Sequence, residues 1–501
     1  MKKRIRPHRP NKSKWMIAAL CAGLLSSAVG SAGPVSAEAP TIAAPKAPTA
    51  PTVPGASKPV VPGSQNGSSK PNAPSAVQPS SSFSCPASAI RVPLNQRTDL
   101  SALLKAPADA HYASANAKIA TVTSRGLVVP QAKGKTTIAV KTWTGSAVAA
   151  SCAATVEVAD AAAVKLAFAP KAELRKVKVG KATFDVQTVV LPKGMPVDIG
   201  LGGDAVGNVE ALKSLAARRK ADYAVNGTFF AAYEQGTLQE PYGNLIADGE
   251  AMHIGNYGTT IGFAKDGSAK MDALRVKIEG GGNGSYAYPN NWYATFMNRT
   301  PSPDGSSSTL FTPARGSRVG FDYGTAIVVK GGVVNEIVEN ENAAIPKDGF
   351  VVVLTGNERK TLGSKFEVGK RIHYRLKYAN AEGISVDWGD VMTAVGAGPR
   401  VLKDGKVAID AKKEGFGEDK ILSASAARSG IGIRKDGSVV VATVGGATIR
   451  QLGDIMLALG AVQGMNLDGG ASSGLYAGGR MLTAPGRLIS NSLLFGSGLR
   501  R

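Results

Sequence analysis

The dipeptide Asp-Gly recurs between short strand-like runs, and this recurrence constrains the fold more than any other feature of the sequence. It stands at Asp248-Gly249, Asp266-Gly267, Asp404-Gly405 and Asp436-Gly437. The last of these has apolar residues on both sides, across Gly430–Val444. Asp and Gly tolerate the positive φ angles of the tight turns that join antiparallel strands. The sequence therefore predicts β-hairpins and short strands rather than long helices.

Two segments have the period of an amphipathic helix. Val209–Lys220 places its apolar residues on one face, and so does Ile449–Leu459. Thr448 and Gln451 form a capping-box pattern at the start of the second helix. A strand is expected to follow at Val462–Leu467. These features predict an α+β fold for residues 161–501: one large domain with a mixed or antiparallel β-sheet and flanking helices.

Residues 1–37 have the features of an export signal. The basic segment Lys2–Lys14 precedes the apolar run Trp15–Val29, and the small-residue site Val35–Ala37 follows. A membrane anchor is the alternative, but the apolar run is short and contains Gly and Ser. The sequence predicts cleavage after Ala37 and a secreted, extracellular protein, with association with the cell wall as one option.

Two regions lie between the signal and the large domain. Residues 38–84 are rich in Pro, Ala and Ser and lack apolar periodicity, which predicts a disordered linker. Residues 85–160 contain short alternating runs such as Ala117–Val122 and Thr136–Val140, which predict a small all-β unit. Because one of the three cysteines leaves with the signal, the other two, Cys85 and Cys152, are expected to form a disulfide outside the cell.

The segment Ala117–Val129, followed by Gly134–Ile138, resembles bacterial immunoglobulin-like repeats of the Big_2 type. The resemblance covers about 75 residues and implies a β-sandwich module. Such a module would adhere to carbohydrate or cell wall, or would act as a spacer, and the second role is at least as well supported.

The chain is strongly basic, with a formal net charge of +22. Removing residues 1–37 takes away Lys and Arg but no Asp or Glu, so the mature protein stays basic. Export makes an anionic cell-wall polymer or phosphoglycan the expected partner, and a solvated surface charge without a specific partner is the alternative. Nucleic-acid motifs are absent from the sequence, and no stable membrane insertion is expected after cleavage.

The segment Met465–Ser473 is the most informative about chemistry. Its strand delivers Asn466 and Asp468 to a turn at Gly469-Gly470, where backbone amides can approach a ligand. Since these two polar residues are two positions apart, both are expected on one side of the strand. An amide and a carboxylate suit sugar hydroxyls, a metal or an electrophilic carbon. An Asp-capped turn of purely structural role is the alternative.

Four blocks stand in a fixed order along the large domain. They are Asn-Gly-Thr-Phe-Phe at 226–230, Gly-Ala-Gly-Pro at 396–399, Arg-Ser-Gly-Ile-Gly at 428–432 and Asn-Leu-Asp-Gly-Gly-Ala-Ser-Ser at 466–473. In this order they resemble the phosphodiester glycosidase (NAGPA-like, DUF2233) domain. Ala471 replaces a third Gly of the family's last block, and Thr228 stands where the family often has Gly.

The resemblance implies hydrolysis of a sugar-1-phosphodiester between the anomeric carbon and the phosphate oxygen, as by an N-acetylglucosamine-1-phosphodiester α-glycosidase. Under it, Arg428 is expected to bind the phosphate. Asp468 is expected to face the developing oxocarbenium ion as nucleophile, base or electrostatic stabiliser. Asn226, the third catalytic candidate, and Asn466 would hold sugar hydroxyls.

The remaining site candidates share a place in or after these blocks. Those expected to bind substrate are Gly469, Gly470, Ser472, Arg400 and Asn491. Glu240 and Asp248 are weaker candidates for acid/base catalysis. The sequence requires no cofactor, and it leaves a divalent cation such as Ca²⁺ open.

Two other functional classes compete with the hydrolase. One is a protein that binds cell wall or polysaccharide through the same fold without turnover. The other is a structural protein of the envelope, which the linker and the basic charge support. The presence of Asn226, Arg428 and Asp468 favours the enzyme.

Overall fold

A computed structural model describes residues 83–107, 110–144, 147–234 and 238–499. The predicted signal at 1–37 and residues 38–82 of the predicted linker lie outside this part of the chain. The described residues all belong to one compact unit, Pro79–Arg501. Within them, no helix is long and apolar enough to cross a membrane.

Residues 85–160, which we call the N-terminal β unit, fold into two small sheets around a core of their own. The elements are β1 (Ile90–Pro93), β2 (Thr98–Asp99), α1 (Leu100–Leu104), β3 (His111–Ser114), β4 (Ala120–Val122), β5 (Leu127–Pro130), β6 (Gly134–Thr144) and β7 (Ala147–Ala159). The sheet orders are β1-β7-β6-β3 and β2-β5-β4. The expected disulfide joins Cys85 to Cys152. The immunoglobulin-like assignment of this unit stays a prediction.

The rest of the described chain is rich in strands and has few helices. Its first strands and helices are β8 (Lys171–Val179), β9 (Ala182–Leu191), β10 (Val197–Leu201), α2 (Leu212–Arg218), β11 (Tyr223–Asn226), β12 (Leu245–Ala247), β13 (Glu250–His253), β14 (Thr259–Ala264), β15 (Ala269–Asp272), β16 (Arg275–Gly282), β17 (Trp292–Ala294), β18 (Phe296–Met297) and β19 (Ser307–Phe311). The later ones are β20 (Thr325–Lys330), β21 (Val333–Glu339), β22 (Gly349–Thr355), α3 (Glu358–Leu362), β23 (Ile372–Ala379), β24 (Val391–Ala397), β25 (Arg400–Lys403), β26 (Lys406–Val407), α4 (Asp419–Leu422), β27 (Ala426–Arg434), β28 (Val439–Ala447), α5 (Ile449–Ala458), β29 (Ala461–Asn466), β30 (Leu475–Ala477), β31 (Arg480–Thr483) and β32 (Asn491–Phe495).

Three sheets enclose the main core. The first has the order β26-β25-β29-β27-β28-β9-β8, the second β10-β32-β11-β30-β31 and the third β13-β12-β24-β14-β15. Each contributes fully buried side chains to one apolar cluster, for example Met465, Leu493 and Val395. Helix α5 covers the other face of the first sheet, where Leu452, Ile455 and Met456 pack against β28. The structure therefore confirms a sheet-rich fold with few helices.

A second core lies on the far side of the third sheet. It is shared with the sheets β18-β19-β22-β20-β21 and β17-β16-β23. Trp292 and Trp388 are its largest buried side chains. This half of the molecule supports the third sheet and, through it, the strand β24 that carries the Gly-Ala-Gly-Pro block.

All four predicted Asp-Gly hairpins are present. At Asp248-Gly249 and Asp404-Gly405 the two residues alone connect the strands, and both have positive φ, as a primed turn requires. At Asp266-Gly267 and Asp436-Gly437 the loop is longer, and only the Gly has positive φ. There each Asp side chain instead accepts the amide of the Ser two residues later.

Both predicted helices are found. The first is shorter than expected, since α2 begins at Leu212 and has no side-chain cap. The second, α5, begins with the predicted capping box, in which Thr448 accepts the Gln451 amide and Gln451 accepts the Thr448 amide. It is followed at once by β29, one residue before the strand expected at Val462–Leu467.

Arginines of the N-terminal β unit bind buried aspartates and backbone carbonyl groups of the second and third sheets. Arg97 donates from Nε to Asp248 Oδ1 at 2.8 Å, and its guanidinium lies 3.6 Å from Asp198. Arg125 donates to the carbonyl groups of Gly249, at 3.0 Å, and Gly389, at 2.8 Å. Asp248, predicted as a possible acid or base, is 5% exposed at a hairpin turn and pairs with Arg97. Asp248 therefore joins the N-terminal β unit to the large domain, and the expectation that it acts as an acid or base is wrong.

Candidate functional site

The carboxyl end of β29 lies between β25 and β27, and three of the four sequence blocks meet there. The Asn466 amide donates to Pro399 O at 3.0 Å, and its side-chain Nδ2 donates to Gly398 O at 2.9 Å. On the other side, the Leu467 amide donates to Ser429 O at 2.8 Å. Antiparallel pairing therefore fixes the end of β29 from both edges.

Asn226, at the end of β11, brings the fourth block to the same place. Its Nδ2 donates to the carbonyl of Asp468 at 2.7 Å, and its Oδ1 accepts from Ser429 Oγ at 2.7 Å and from the Gly474 amide at 2.9 Å. The Asp468 amide donates to Gly227 O at 3.0 Å. Asn226 is 1% exposed. It therefore positions the turn that carries Asp468, and its oxygen is already engaged within the protein.

The carboxylate of Asp468 is half-buried at the centre of this turn. The amide of Gly469 donates to Oδ1 at 2.9 Å, and the Ser472 hydroxyl also donates to the carboxylate. Burial raises the pKa of Asp468 to about 6, against the lowering effects of these two donors and of the positive charges of Arg487 and Lys420. A carboxyl group with this pKa changes its charge near neutral pH, as general acid/base catalysis requires.

The two glycines after Asp468 serve different purposes. A Cβ at Gly469 would lie 2.9 Å from the carbonyl oxygen of Ala427, so the close approach to β27 excludes a side chain. Gly470 has φ of 59° and begins a short 3₁₀ turn, Gly470–Ser472. Gly470 and Ala471 are exposed, whereas Ser472 is buried. The turn thus presents backbone at the surface beside the Asp468 carboxylate.

Arg428 is 3% exposed and is held by main-chain carbonyl groups. It donates to Ala447 O at 3.0 Å, Lys420 O at 2.8 Å and Ala424 O at 2.7 Å. Burial lowers its pKa, and no carboxylate among the described residues forms an ion pair with it. The expectation that Arg428 presents a free fork to the phosphate is therefore wrong: the guanidinium anchors α4 and the segment that follows to the end of β28.

Asn466 and Asn491 are also internal. Asn466 is fully buried as the last residue of β29. Asp468 lies two residues beyond the end of the strand, so the alternation that predicted both side chains on one side does not extend to it. Asn491 is 2% exposed, and its Oδ1 accepts the Thr228 amide at 2.8 Å. The side chains of Asn466 and Asn491 therefore hold the loops of the site together, so the structure exposes neither Asn466 to a sugar hydroxyl nor Asn491 to substrate.

Glu240 lies in an internal ion pair with Arg315. Its Oε1 accepts from Arg315 Nη1 and from the Thr300 hydroxyl, and the Thr300 amide also donates to it, at 3.0 Å. A carboxylate with these partners is committed to holding the Thr300 loop. The interpretation of Glu240 as an acid or base at the site is corrected by these contacts.

Arg400 points along the first sheet and away from the Asp468 turn. Its Nε donates to Leu402 O at 3.1 Å, and its Nη2 donates to Gln463 Oε1. Gln463 precedes Asp468 by five residues on the extended strand β29. The structure therefore does not bring the Arg400 guanidinium to the site.

Three residues at the mouth of the site were missed by sequence analysis. Tyr233 is 67% exposed, and its hydroxyl accepts from Arg487 Nη2 at 2.8 Å. The Arg487 guanidinium carbon lies 4.6 Å from the centre of the Tyr233 ring, and Lys420 Nζ lies 5.9 Å from it. Tyr233 and Arg487 stand on loops and Lys420 on the short helix α4, all outside the four blocks, so no pattern in the sequence marks them.

A metal site is not apparent in the described part of the chain. There, no group of three or more His, Cys, Asp or Glu residues is placed to hold an ion. Asp468 accepts from an amide and a hydroxyl and lies near the positive charges of Arg487 and Lys420, which is not a cation-binding donor set.

Comparison with known proteins supports the assignment of these blocks. Residues 323–496 match the family model described as phosphodiester glycosidase (NAGPA). This range contains three of the four blocks, and the structure adds the fourth through Asn226. A search of curated proteins gave no match.

Solved structures show a related fold at low sequence identity. A hypothetical protein from Synechocystis superposes with a TM-score of 0.57 at 18% identity, covering 77% of this chain and 80% of that one. A predicted exported protein from Burkholderia pseudomallei K96243 gives 0.51 at 19%, covering 62% and 74%. The zebrafish N-acetylglucosamine-1-phosphodiester α-N-acetylglucosaminidase catalytic domain, auto-inhibited by its pro-peptide, gives 0.36 at 14%, covering 65% and 82%.

Proposed function

We propose that this chain is a secreted glycosidase that hydrolyses the bond between C1 of a sugar and the oxygen of a phosphodiester. The observation that carries the proposal is the convergence of all four blocks on one half-buried carboxylate, Asp468. Asn226 is 242 residues away in the sequence, yet it donates to the Asp468 carbonyl. The family match at residues 323–496 supports the same reaction class.

The chemistry of the turn fits a bond that breaks without strong acid catalysis. A phosphate leaving group departs as a stable anion, so protonation of the leaving oxygen matters less than in the hydrolysis of ordinary glycosides. Asp468 would stabilise or capture the oxocarbenium ion, or activate the water that replaces the phosphate. With a pKa of about 6, it is mainly ionised at pH 7 and suited to each of these roles.

The place of action and the partner are part of this proposal. Residues 1–37 support export, and the positive net charge supports an anionic cell-wall polymer or other phosphoglycan as the substrate. Processing can be checked by mass spectrometry of the secreted protein. We expect a mature chain that starts at Glu38 and contains no alkylatable thiol, whereas an uncleaved N-terminus would contradict export by this route.

Release of free sugar tests the activity itself. Purified mature protein would be incubated with a panel of sugar-1-phosphodiesters, with the matching sugar-1-phosphates and with phosphate-containing wall polymers. We expect reducing sugar and a phosphate monoester in equal amounts from at least one diester. Tight binding of these compounds without turnover would instead favour the non-catalytic glycan-binding alternative.

A further inference from the structure

Two cations reach the Asp468 turn from separate segments of the chain. The segment that carries Arg487 is fixed to the turn, since the Gly486 amide donates to Ala471 O at 2.7 Å. Lys420 lies on α4, and Arg428 fixes this helix by donating to the Lys420 carbonyl at 2.8 Å. Backbone contacts therefore fix the segment from which each cation extends.

A single aromatic ring brings the two cations together. The Arg487 guanidinium stacks on Tyr233 at 4.6 Å and donates to its hydroxyl at 2.8 Å. Lys420 Nζ lies 5.9 Å from the centre of the same ring. Both charges also act on the Asp468 carboxyl, whose pKa each of them lowers, so both lie near the turn. This arrangement suits a phosphate group.

Both cations can exchange their present partners for a ligand. Among the described residues, Arg487 has no ion pair with a carboxylate, and it donates to the neutral Tyr233 hydroxyl. Lys420 pairs with Glu418 at 2.8 Å, but the two side chains are 59% and 50% exposed. Exposed ion pairs of this kind contribute little, about 0–1 kcal/mol, so a phosphate can compete with Glu418.

We propose that Arg487 and Lys420 form the subsite that binds the phosphate of the substrate, with Tyr233 and Arg428 as positioning residues. This inference rests on the proposed function. During hydrolysis the C1–O bond breaks, its electron pair stays on the departing phosphate oxygen, and a water oxygen bonds to C1 and loses a proton. The phosphate therefore gains one negative charge in the transition state, which the two cations stabilise more strongly than the ground state.

The subsite is tested by comparing a charged with a neutral leaving group. The substrates are an α-N-acetylglucosaminyl phosphomethyl diester and 4-nitrophenyl N-acetyl-α-glucosaminide, and the variants of the mature protein are Arg487→Gln and Lys420→Gln. Arg359→Gln is the matched control, because Arg359 is an exposed arginine that pairs with Glu339. Assays are run at pH 8, where Asp468 is ionised even if its pKa rises after loss of a cation.

We expect each site variant to lower kcat/KM for the phosphodiester roughly 10- to 100-fold, as for the loss of a charged hydrogen bond, and to leave the aryl glycoside within about twofold. The control should match the wild type on both substrates. Equal loss on both substrates, or no loss on the phosphodiester, would overturn the subsite while the proposed function stands.

A binding measurement separates failure of the subsite from failure of the proposed function. N-acetyl-α-glucosamine 1-phosphate is titrated calorimetrically into Asp468→Asn protein, with and without Arg487→Gln. We expect at least tenfold weaker binding when Arg487 is replaced. If the wild type cleaves neither substrate but this weakening is seen, the proposed function fails and the phosphate subsite stands. Unchanged binding overturns the subsite.

Discussion

Asp468 owes its position to main-chain contacts and its reactivity to its surroundings. The turn is held by the Asn226 side chain and by the Gly227 carbonyl, neither of which contacts the carboxylate. Burial of the carboxylate raises its pKa to about 6. Replacing the carboxylate with an amide should therefore change the charge of the site without releasing the turn.

Asp468 should make the stability of the protein depend on pH. Because its pKa rises from 3.8 to about 6 on folding, the folded state binds the proton more tightly than the unfolded state. Stability from this group is full below pH 4 and falls as the pH rises to 6. In the wild type we expect this group to lower the free energy of unfolding by about 1–3 kcal/mol between pH 4 and pH 7. Asp468→Asn should lack this decrease. Denaturant unfolding of both proteins at these pH values measures it, and parallel pH dependence in the two would contradict the raised pKa.

Residue roles were the part of the site that the sequence predicted least well. The blocks and the placement of Asp468 at a strand end followed from motif order and from the strand predicted before it. The burial of Arg428 did not, since its partners Ala424 and Ala447 are main-chain carbonyls that no side-chain pattern reveals. Asn226 is an acceptor for Ser429 and Gly474 only because the topology places three distant segments together.

At the scale of elements, β29 positions the turn that carries Asp468, and α4 carries Lys420 at the edge of the site. The sequence predicted β29 and the helix α5 before it, because apolar periodicity and the capping box are local signals. Helix α4 has four residues and no side-chain cap, and it is held by the bond from Arg428 to the Lys420 carbonyl and by the buried side chain of Ile421. The sequence could not predict this contact. A helix of four residues is too short to show apolar periodicity, and nothing in the sequence marks Arg428 as its buried partner.

Arg428→Lys tests the link between the buried arginine and α4. Lysine keeps the charge but cannot reach three carbonyl groups in different directions. We expect a loss of stability of about 1–3 kcal/mol, and a larger loss of activity on the phosphodiester than on the aryl glycoside, because α4 carries Lys420. Thermal melts and kinetics on both substrates check this. Selective loss of phosphodiester hydrolysis with an unchanged melt would instead return Arg428 to direct phosphate binding.

At the scale of the whole molecule, the N-terminal β unit is joined to the large domain by pairs between Arg97 and the buried carboxylates Asp198 and Asp248. The sequence predicted the disulfide and several strands of this unit. It also led us to expect a unit separate from the large domain. It gave no sign that Arg97 pairs with Asp198 and Asp248, which lie 101 and 151 positions later. Contacts at this separation are set by how the sheets are placed, which local patterns do not encode.

Arg97→Ala tests whether these charges join the two parts. Removing one partner of a nearly buried ion pair leaves Asp248 without that cation, which should cost about 2–4 kcal/mol. We expect a lower melting temperature of the mature protein and earlier cleavage near residue 160 in limited proteolysis. Arg91→Ala, at an exposed position on β1, is the control. Equal melts for both variants would show that the contact contributes nothing to stability.

The most direct test of the account is the turnover of Asp468→Asn on a sugar-1-phosphodiester that the wild type hydrolyses. The amide keeps the size of the carboxylate and removes the charge that faces the anomeric carbon. We predict a loss of kcat on the order of 10³ or more, a few kcal/mol of transition-state stabilisation, with a melting temperature at pH 7 no lower than that of the wild type. Turnover close to that of the wild type, or a melt lowered as far as the activity, would contradict Asp468 as the catalytic carboxylate.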